Sequence, residues 1–285
     1  MKVLLEPNRT KDHCYRVTAQ AAQILHEAGA KVFVAEPEAK ECLPDFVELL
    51  KGDLSEFSAV VAFGGDGTLL SAAHRAADFG VPLVGVNLGT VGFLTEVEPK
   101  DIGLLVRLTT GAYSLEERMM LSILLYRGDK VIYETNALND CIVSRGGTPR
   151  SIPLVLQSDG KTLKTLLGDG VIVATPTGTT AYSLSAGGPI VEPMAESITI
   201  TPICAHALYA KAFVLRPERV VSILIGPMEG KEAWLSGDGV ESVPLCSGDR
   251  IVVHRSRLTT RIVKFGNDNF YDILKEKLMD RSEKK

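Results

Sequence analysis

At 285 residues the chain is long enough for two domains or one large one, and with 45% hydrophobic residues it can bury a core. A net charge of −4 with no basic tract argues against a nucleic-acid surface, and no apolar run reaches the ~18 residues of a membrane span. The five cysteines (Cys14, Cys42, Cys141, Cys204, Cys246) are odd in number, widely spaced and without a C-x-x-C pair, which fits a reducing, cytoplasmic setting.

Residues 2–5 read as the first strand, too short in apolar length for a signal peptide, and residues 8–12 as a polar loop. Val17, Ala21, Ile24 and Leu25 have helical spacing and end at Gly29, a C′ glycine. Residues 31–35 form a second strand, and 37–51 read as weakly helical. The unbroken apolar run Ala59-Val60-Val61-Ala62-Phe63 reads as a strand buried on both faces of a parallel sheet. It enters Gly64-Gly65-Asp66-Gly67-Thr68, followed by a helix over 69–79. Strand, glycine turn and helix start aim backbone N–H groups at an anion, and glycine lets a phosphate approach. Thr68 is expected to cap the helix. A carboxylate repels a bare phosphate, so Asp66 fits there if it holds a bridging Mg²⁺ or accepts a proton from an attacking hydroxyl. A tight turn with a capping Asp is the plainer alternative. Residues 81–87 form another buried strand, ending at Asn87 and running into the second glycine turn, Leu88-Gly89-Thr90-Val91-Gly92-Phe93-Leu94. Strand and helix alternate over about 100 residues, the pattern of a parallel α/β sheet with ligands beyond the C-terminal strand ends.

Near residue 115 the pattern changes to short strands and tight turns, a mostly antiparallel β domain over about 120–262. Arg127-Gly128-Asp129-Lys130 and Ser158-Asp159-Gly160-Lys161 read as hairpin turns, the first despite its Arg-Gly-Asp triplet. Asn139-Asp140, read within an apolar strand, pairs an amide with a carboxylate that can grip a sugar diol or a carboxamide; an edge-strand turn is the alternative. Gly168-Asp169-Gly170 leads through a strand into Thr175-Pro176-Thr177-Gly178-Thr179-Thr180, a hydroxyl-rich loop entering a short helix, where Tyr182 could stack on or bond to a ligand; a Thr-rich turn is the alternative. Gly237-Asp238-Gly239 reads as a hairpin turn. The tail over 270–279 is an amphipathic helix. The five histidines show no paired ligand spacing, and there is no G-x-x-x-x-G-K-[ST], no full dinucleotide fingerprint and no nucleophile–base pair.

Residues 64–68, Asn139-Asp140, residues 168–189 and Asp238-Gly239, in this order across nearly the whole chain, resemble the NAD kinase family. The first motif alone is shared with phosphofructokinases and diacylglycerol-type lipid kinases; the stretch over 175–189 is particular to NAD kinases. The resemblance implies an N-terminal Rossmann-like α/β domain (1–118, joined by a returning tail over about 263–285) and a C-terminal β-sandwich-like NAD-binding domain (119–262), with the site in the cleft between them. It implies transfer of the ATP γ-phosphoryl, with a divalent metal, to the 2′-hydroxyl of the NAD adenosine ribose. Asp66 would be the proton acceptor and Gly67 a substrate contact. Asn139 and Asp140 would bind the nicotinamide-side ribose and amide. Arg150, Asp169 and Thr177 would sit at a part of the site shared between subunits of a homodimer or homotetramer. Thr180, Ala181, Tyr182, Ser183, Leu184 and Ser185 would line the adenine and ribose pocket. Gly64, Gly65, Thr68 and Asn87 complete the expected binding residues at the two turns. The sequence departs from the family at Ser71, Thr90, Thr179 and Val240. A non-catalytic NAD(P)-binding sensor and a lipid or sugar kinase are the rival readings. The first lacks a use for the glycine turn over 64–68, and the second leaves 175–189 unexplained.

Overall fold

The computed structural model describes residues 1–89, 92–147, 149–206, 211–266 and 270–279. The chain divides into two compact units, one formed by Met1–Glu117 with the chain from Thr260 onward, the other by Arg118–Thr259.

In the first unit, β1 (Lys2–Pro7), β2 (Lys31–Val34), β3 (Glu48–Leu49), β4 (Ala59–Gly64) and β5 (Leu83–Asn87) lie in the order β5-β4-β1-β2-β3, all parallel. Helix α1 (Arg16–Glu27) ends at Gly29, whose φ of 84° is left-handed. Every residue of β4 is buried, which is why its sequence is apolar without alternation. The stretch read as helical over 37–51 yields only α2 (Pro37–Cys42) and then β3. Pro44 explains the stop: the residue before a proline is driven out of the helical region, and Leu43 is extended at φ −100°, ψ 160°. Helix α3 (Asp66–Ala77) follows β4, and a 3₁₀ stretch (Pro99–Val106) leads into α4 (Arg107–Thr110).

The second unit is built from antiparallel strands. These are β6 (Ser114–Arg127, its start in the first unit), β7 (Lys130–Ala137), β8 (Asp140–Arg145), β9 (Ile152–Ser158), β10 (Lys161–Gly168), β11 (Gly170–Ala174), β12 (Ile198–Ile203), β13 (Phe213–Leu215), β14 (Val221–Ile225), β15 (Ala233–Gly237), β16 (Glu241–Leu245) and β17 (Arg250–Lys264, its end in the first unit). One sheet runs β13-β12-β11-β8-β15-β16. The other runs β10-β9-β14-β17, with β6 beside β17 and β7 beside β6. Inward residues of both, such as Val143, Val173 and Leu235 from one and Leu154, Ile223 and Val253 from the other, share one core, so the unit is a β-sandwich. The Arg-Gly-Asp triplet turns β6 into β7, and its arginine is engaged: Arg127 Nε and Nη2 donate to the buried Asp249 carboxylate at 2.9 and 2.8 Å.

The returning chain completes the first unit. Ile262 of β17 pairs in parallel with Leu83 of β5, and Val263 and Phe265 enter the first unit's core. Arg107 donates to the Phe265 carbonyl, and Lys264 pairs with Glu96. Helix α5 (Tyr182–Ser185) is a single turn of the second unit. Helix α6 (Phe270–Met279) ends the described chain, its Phe270 ring centroid 6.2 Å from that of Phe93.

Candidate active site

Because β1, β4 and β5 are parallel neighbours, their C-terminal ends leave the sheet on one edge. Three loops therefore meet there, and hydrogen bonds stitch them together. Asn8 N donates to the Phe63 carbonyl at 2.9 Å, and Leu88 N donates to the Gly64 carbonyl at 2.6 Å. Asp66 opens α3 with Gly65 as N-cap, and its half-buried carboxylate crosses to the second glycine turn. Oδ2 accepts from Phe93 N at 2.9 Å and Oδ1 from Leu94 N at 3.1 Å. A Cβ on Gly92 would lie 2.4 Å from Asp66 Oδ1, so this crossing requires glycine there. Asn87 Oδ1 accepts from Gly89 N at 3.3 Å and holds the turn's first bend. Thr90 and Val91 lie outside the described residues.

Thr68 is not the helix cap. It lies within α3, where its Oγ1 accepts from Asn8 Nδ2 at 3.1 Å, so it ties the first loop to the helix. Gly64 is required beneath it, since a Cβ there would sit 2.1 Å from Thr68 Oγ1. Gly67 is exposed, with nothing within 4 Å of a would-be Cβ, so the first helical turn presents bare backbone. Beside it lies a cavity of about 370 Å³ that Asn8, Gly67, Thr68, Ser71 and Arg75 help to line.

In the second unit, Asn139 and Asp140 are not an alternating pair inside a strand: Leu138 and Asn139 form the bend between β7 and β8, and Asp140 opens β8. The bend is held by Asp238, whose carboxylate accepts from the backbone N–H of Leu138, Asn139 and Asp140 at 2.7, 2.8 and 3.0 Å. Asp238 sits in the β15–β16 hairpin turn at φ 51°, as the Asp-Gly pair predicts. Nothing local in the sequence announces its second task. Asn139 Oδ1 is buried and has no hydrogen-bond partner among the described residues. Asp140 is 4% exposed, and burial, followed by the neighbouring Asp238 charge, pushes its carboxyl up to about 7. Burial likewise raises the adjacent Cys141 thiol.

The threonine loop locks onto the same bend. Thr175 N donates to the Asn139 carbonyl at 2.8 Å and Thr175 Oγ1 to the Leu138 carbonyl at 2.5 Å. Gly178 passes so close that a Cβ would lie 2.0 Å from the Asn139 carbonyl oxygen. Thr177 is buried and receives Arg118 Nη1 at 3.4 Å. Thr180 Oγ1 donates to the Thr177 carbonyl at 3.2 Å. Ser183 is buried against Thr201, its Oγ 2.9 Å from Thr201 Oγ1. Tyr182 and Ser185 are exposed, while Ala181 and Leu184 are half-buried. Asp169 pairs with Arg145 at 2.8 Å, and Arg150 is exposed in the loop before β9, without an ion pair among the described residues. The structure thus gathers Asp66, Gly64, Gly65, Gly67, Thr68 and Asn87 in one unit, and Asn139, Asp140, Thr177 and residues 180–185 in the other.

Family models described as the ATP-NAD kinase N-terminal domain and C-terminal domain match residues 7–113 and 138–265. An NAD kinase of Acetivibrio thermocellus is 36% identical over 285 residues, 99% of each chain. Among solved structures, yeast NADH kinase complexed with NADH is similar at a TM-score of 0.88 and 27% identity, covering 100% of this chain and 89% of that one. An NAD kinase from Archaeoglobus fulgidus in complex with ATP is similar at a TM-score of 0.76 and 26% identity, covering 98% and 99%.

Proposed function

This chain belongs to the ATP-NAD kinase family, whose reaction is the phosphorylation of NAD to NADP, and from that premise we propose how its residues divide the work. Asp66 accepts the proton of the ribose 2′-hydroxyl as it attacks the γ-phosphoryl of ATP. The observation that carries this is the carboxylate held by the Phe93 and Leu94 amides at the mouth of the glycine turn. Those two amides fix the direction in which it points. The bare amides at Gly65 and Gly67 and the positive end of the α3 dipole support a triphosphate there. The neighbouring cavity is of the size that takes part of a small ligand.

Asn139, with its unpartnered buried Oδ1, and Asp140 bind the nicotinamide-side ribose and amide of NAD. Residues 180–185 line the adenosine pocket, the exposed Tyr182 stacking on the base. Among the described residues no group of three or more His, Cys, Asp or Glu side chains is placed to hold a metal. Mg²⁺ would bind mainly the ATP phosphates, since it needs at most one or two carboxylates from the protein. When bound, it neutralises charge on the transferring phosphoryl group. Arg150, Asp169 and Thr177 complete the site next to a second subunit of a homodimer or homotetramer. No helix among the described residues is long and apolar enough to cross a membrane. The cytoplasmic reading rests on the five widely spaced cysteines without a C-x-x-C pair.

Incubation with NAD, ATP and Mg²⁺ should yield NADP. Replacing Asp66→Asn should lower kcat about 10²- to 10⁴-fold, ~3–5.5 kcal/mol of barrier, with NAD affinity retained. Turnover within a few-fold of the parent enzyme would remove Asp66 from the role of base.

A further inference from the structure

The loop that follows β1 carries a lysine the proposed reaction has not yet used. A Cβ built on Gly65 would lie 2.9 Å from Lys11 Nζ, and one built on Gly89 would lie 3.5 Å from it. One ammonium therefore hangs over both glycine turns, where the backbone is open. Lys11 is exposed, and among the described residues its ammonium has neither an ion pair nor a hydrogen bond. The carboxylate next to it in sequence is turned away: Asp12 is buried and accepts from Val17 N, Thr18 N and Thr18 Oγ1 at the start of α1. Glu6 is held by Arg75, and Arg9 by Glu38.

The segment beneath Lys11 is anchored at both ends. Asn8 N is tied to the Phe63 carbonyl, and Lys11 N and Asp12 N both donate to the Asn8 carbonyl, at 3.0 and 2.8 Å. Asn8 Oδ1 accepts from Thr10 N and Oγ1 at 3.1 and 2.7 Å, while its Nδ2 reaches Thr68. The fold fixes the lysine's Cα and leaves its charge unspent. An unpaired cation beside exposed amides at a helix N-terminus is a site for a polyanion, and it offsets the repulsion that Asp66 exerts on one.

We propose that Lys11 binds the phosphate chain of the phosphoryl donor, its ammonium closing over the Gly65 and Gly89 turns as a third wall of the anion site. The inference rests on the reading of this edge as the ATP side of the reaction. It makes Lys11 a determinant of donor affinity, with no contact to NAD.

The test is steady-state kinetics of Lys11→Met and Lys11→Arg beside the parent protein, with inorganic tripolyphosphate as a nucleoside-free probe of the same site. Lys11→Met should raise KM for ATP and the inhibition constant of tripolyphosphate together, each about tenfold, as expected for one lost charge-assisted hydrogen bond. KM for NAD should stay within twofold. The dependence of ATP KM on salt concentration should become shallower, because one fewer cation is screened. Lys11→Arg should restore both constants to within about threefold. An unchanged melting temperature would separate this loss from misfolding, since the side chain is exposed. If Lys11→Met leaves the ATP and tripolyphosphate constants within twofold, or shifts the NAD and ATP constants equally, the inference is overturned. A parent protein that makes no NADP would instead overturn the kinase reading, and tripolyphosphate binding measured by calorimetry would then decide Lys11 alone.

Discussion

Asp140 shows how one carboxyl can carry a stability signature. Its folded carboxyl lies at about 7, whereas an unfolded Asp titrates near its ordinary value of 3.8. Between those pH values the native state holds a proton that the unfolded state has released, so stability at this site is full below about 4 and falls as pH rises to 7. The charge that bears on it is that of Asp238, which adds repulsion. Asp140→Asn removes the titration while keeping the shape. Denaturant melts should show the variant gaining about 2 kcal/mol relative to the parent between pH 5 and pH 8. Parallel pH profiles for the two proteins would show that Asp140 stays ionised throughout. Asp238 belongs to the stretches that carry the family resemblance, yet its local pattern, an Asp-Gly pair between alternating strands, is fully explained as a turn. Its grip on Leu138, Asn139 and Asp140 spans about a hundred residues, and no local pattern encodes it.

At the scale of elements, the site depends on two glycines that admit a neighbour's backbone or side chain. Gly92 makes room for Asp66, and Gly178 makes room for the Asn139 carbonyl. The second contact is backbone against backbone, so no side chain can swing aside to relieve it. Gly178→Ala should therefore displace the β7–β8 bend, raising KM for NAD at least about tenfold and costing roughly 1–3 kcal/mol of stability. Gly103→Ala, where a Cβ meets nothing within 4 Å, should leave both unchanged. An NAD constant in Gly178→Ala equal to that of the parent would mean the bend is not part of the pocket. The strand and helix types around these points were readable from apolar runs and spacing. The ends were not: α3 begins at Asp66 rather than 69, because Gly65 caps it and Thr68 is drawn to Asn8.

For the whole molecule, the decisive feature is that the first unit is not contiguous in sequence. Its core includes Val263 at 0% and Phe265 at 7% exposure, delivered by the far end of β17. Phe265→Ala should destabilise the protein by about 3–5 kcal/mol, visible as a lowered denaturant midpoint. A chain ended after Thr259 should fail to give a cooperative transition for the first unit. A truncated protein that melts like the parent would show that the returning segment is dispensable.

The amino-acid sequence by itself determined the class and order of the elements. Burial on one face or both leaves a periodic trace in the chain, and glycine, proline and Asp-Gly pairs mark where it must turn. It also displayed the residue types of the candidate site, a glycine-lined turn carrying one carboxylate. Only the tertiary structure decided which loops face each other: Lys11 over Gly65 and Gly89, Asp238 beneath Asn139, Asp66 against Phe93. Those meetings follow from strand order and pairing, which bring distant segments to one edge, and strand order is set by the sum of many weak packing contacts rather than by any local pattern.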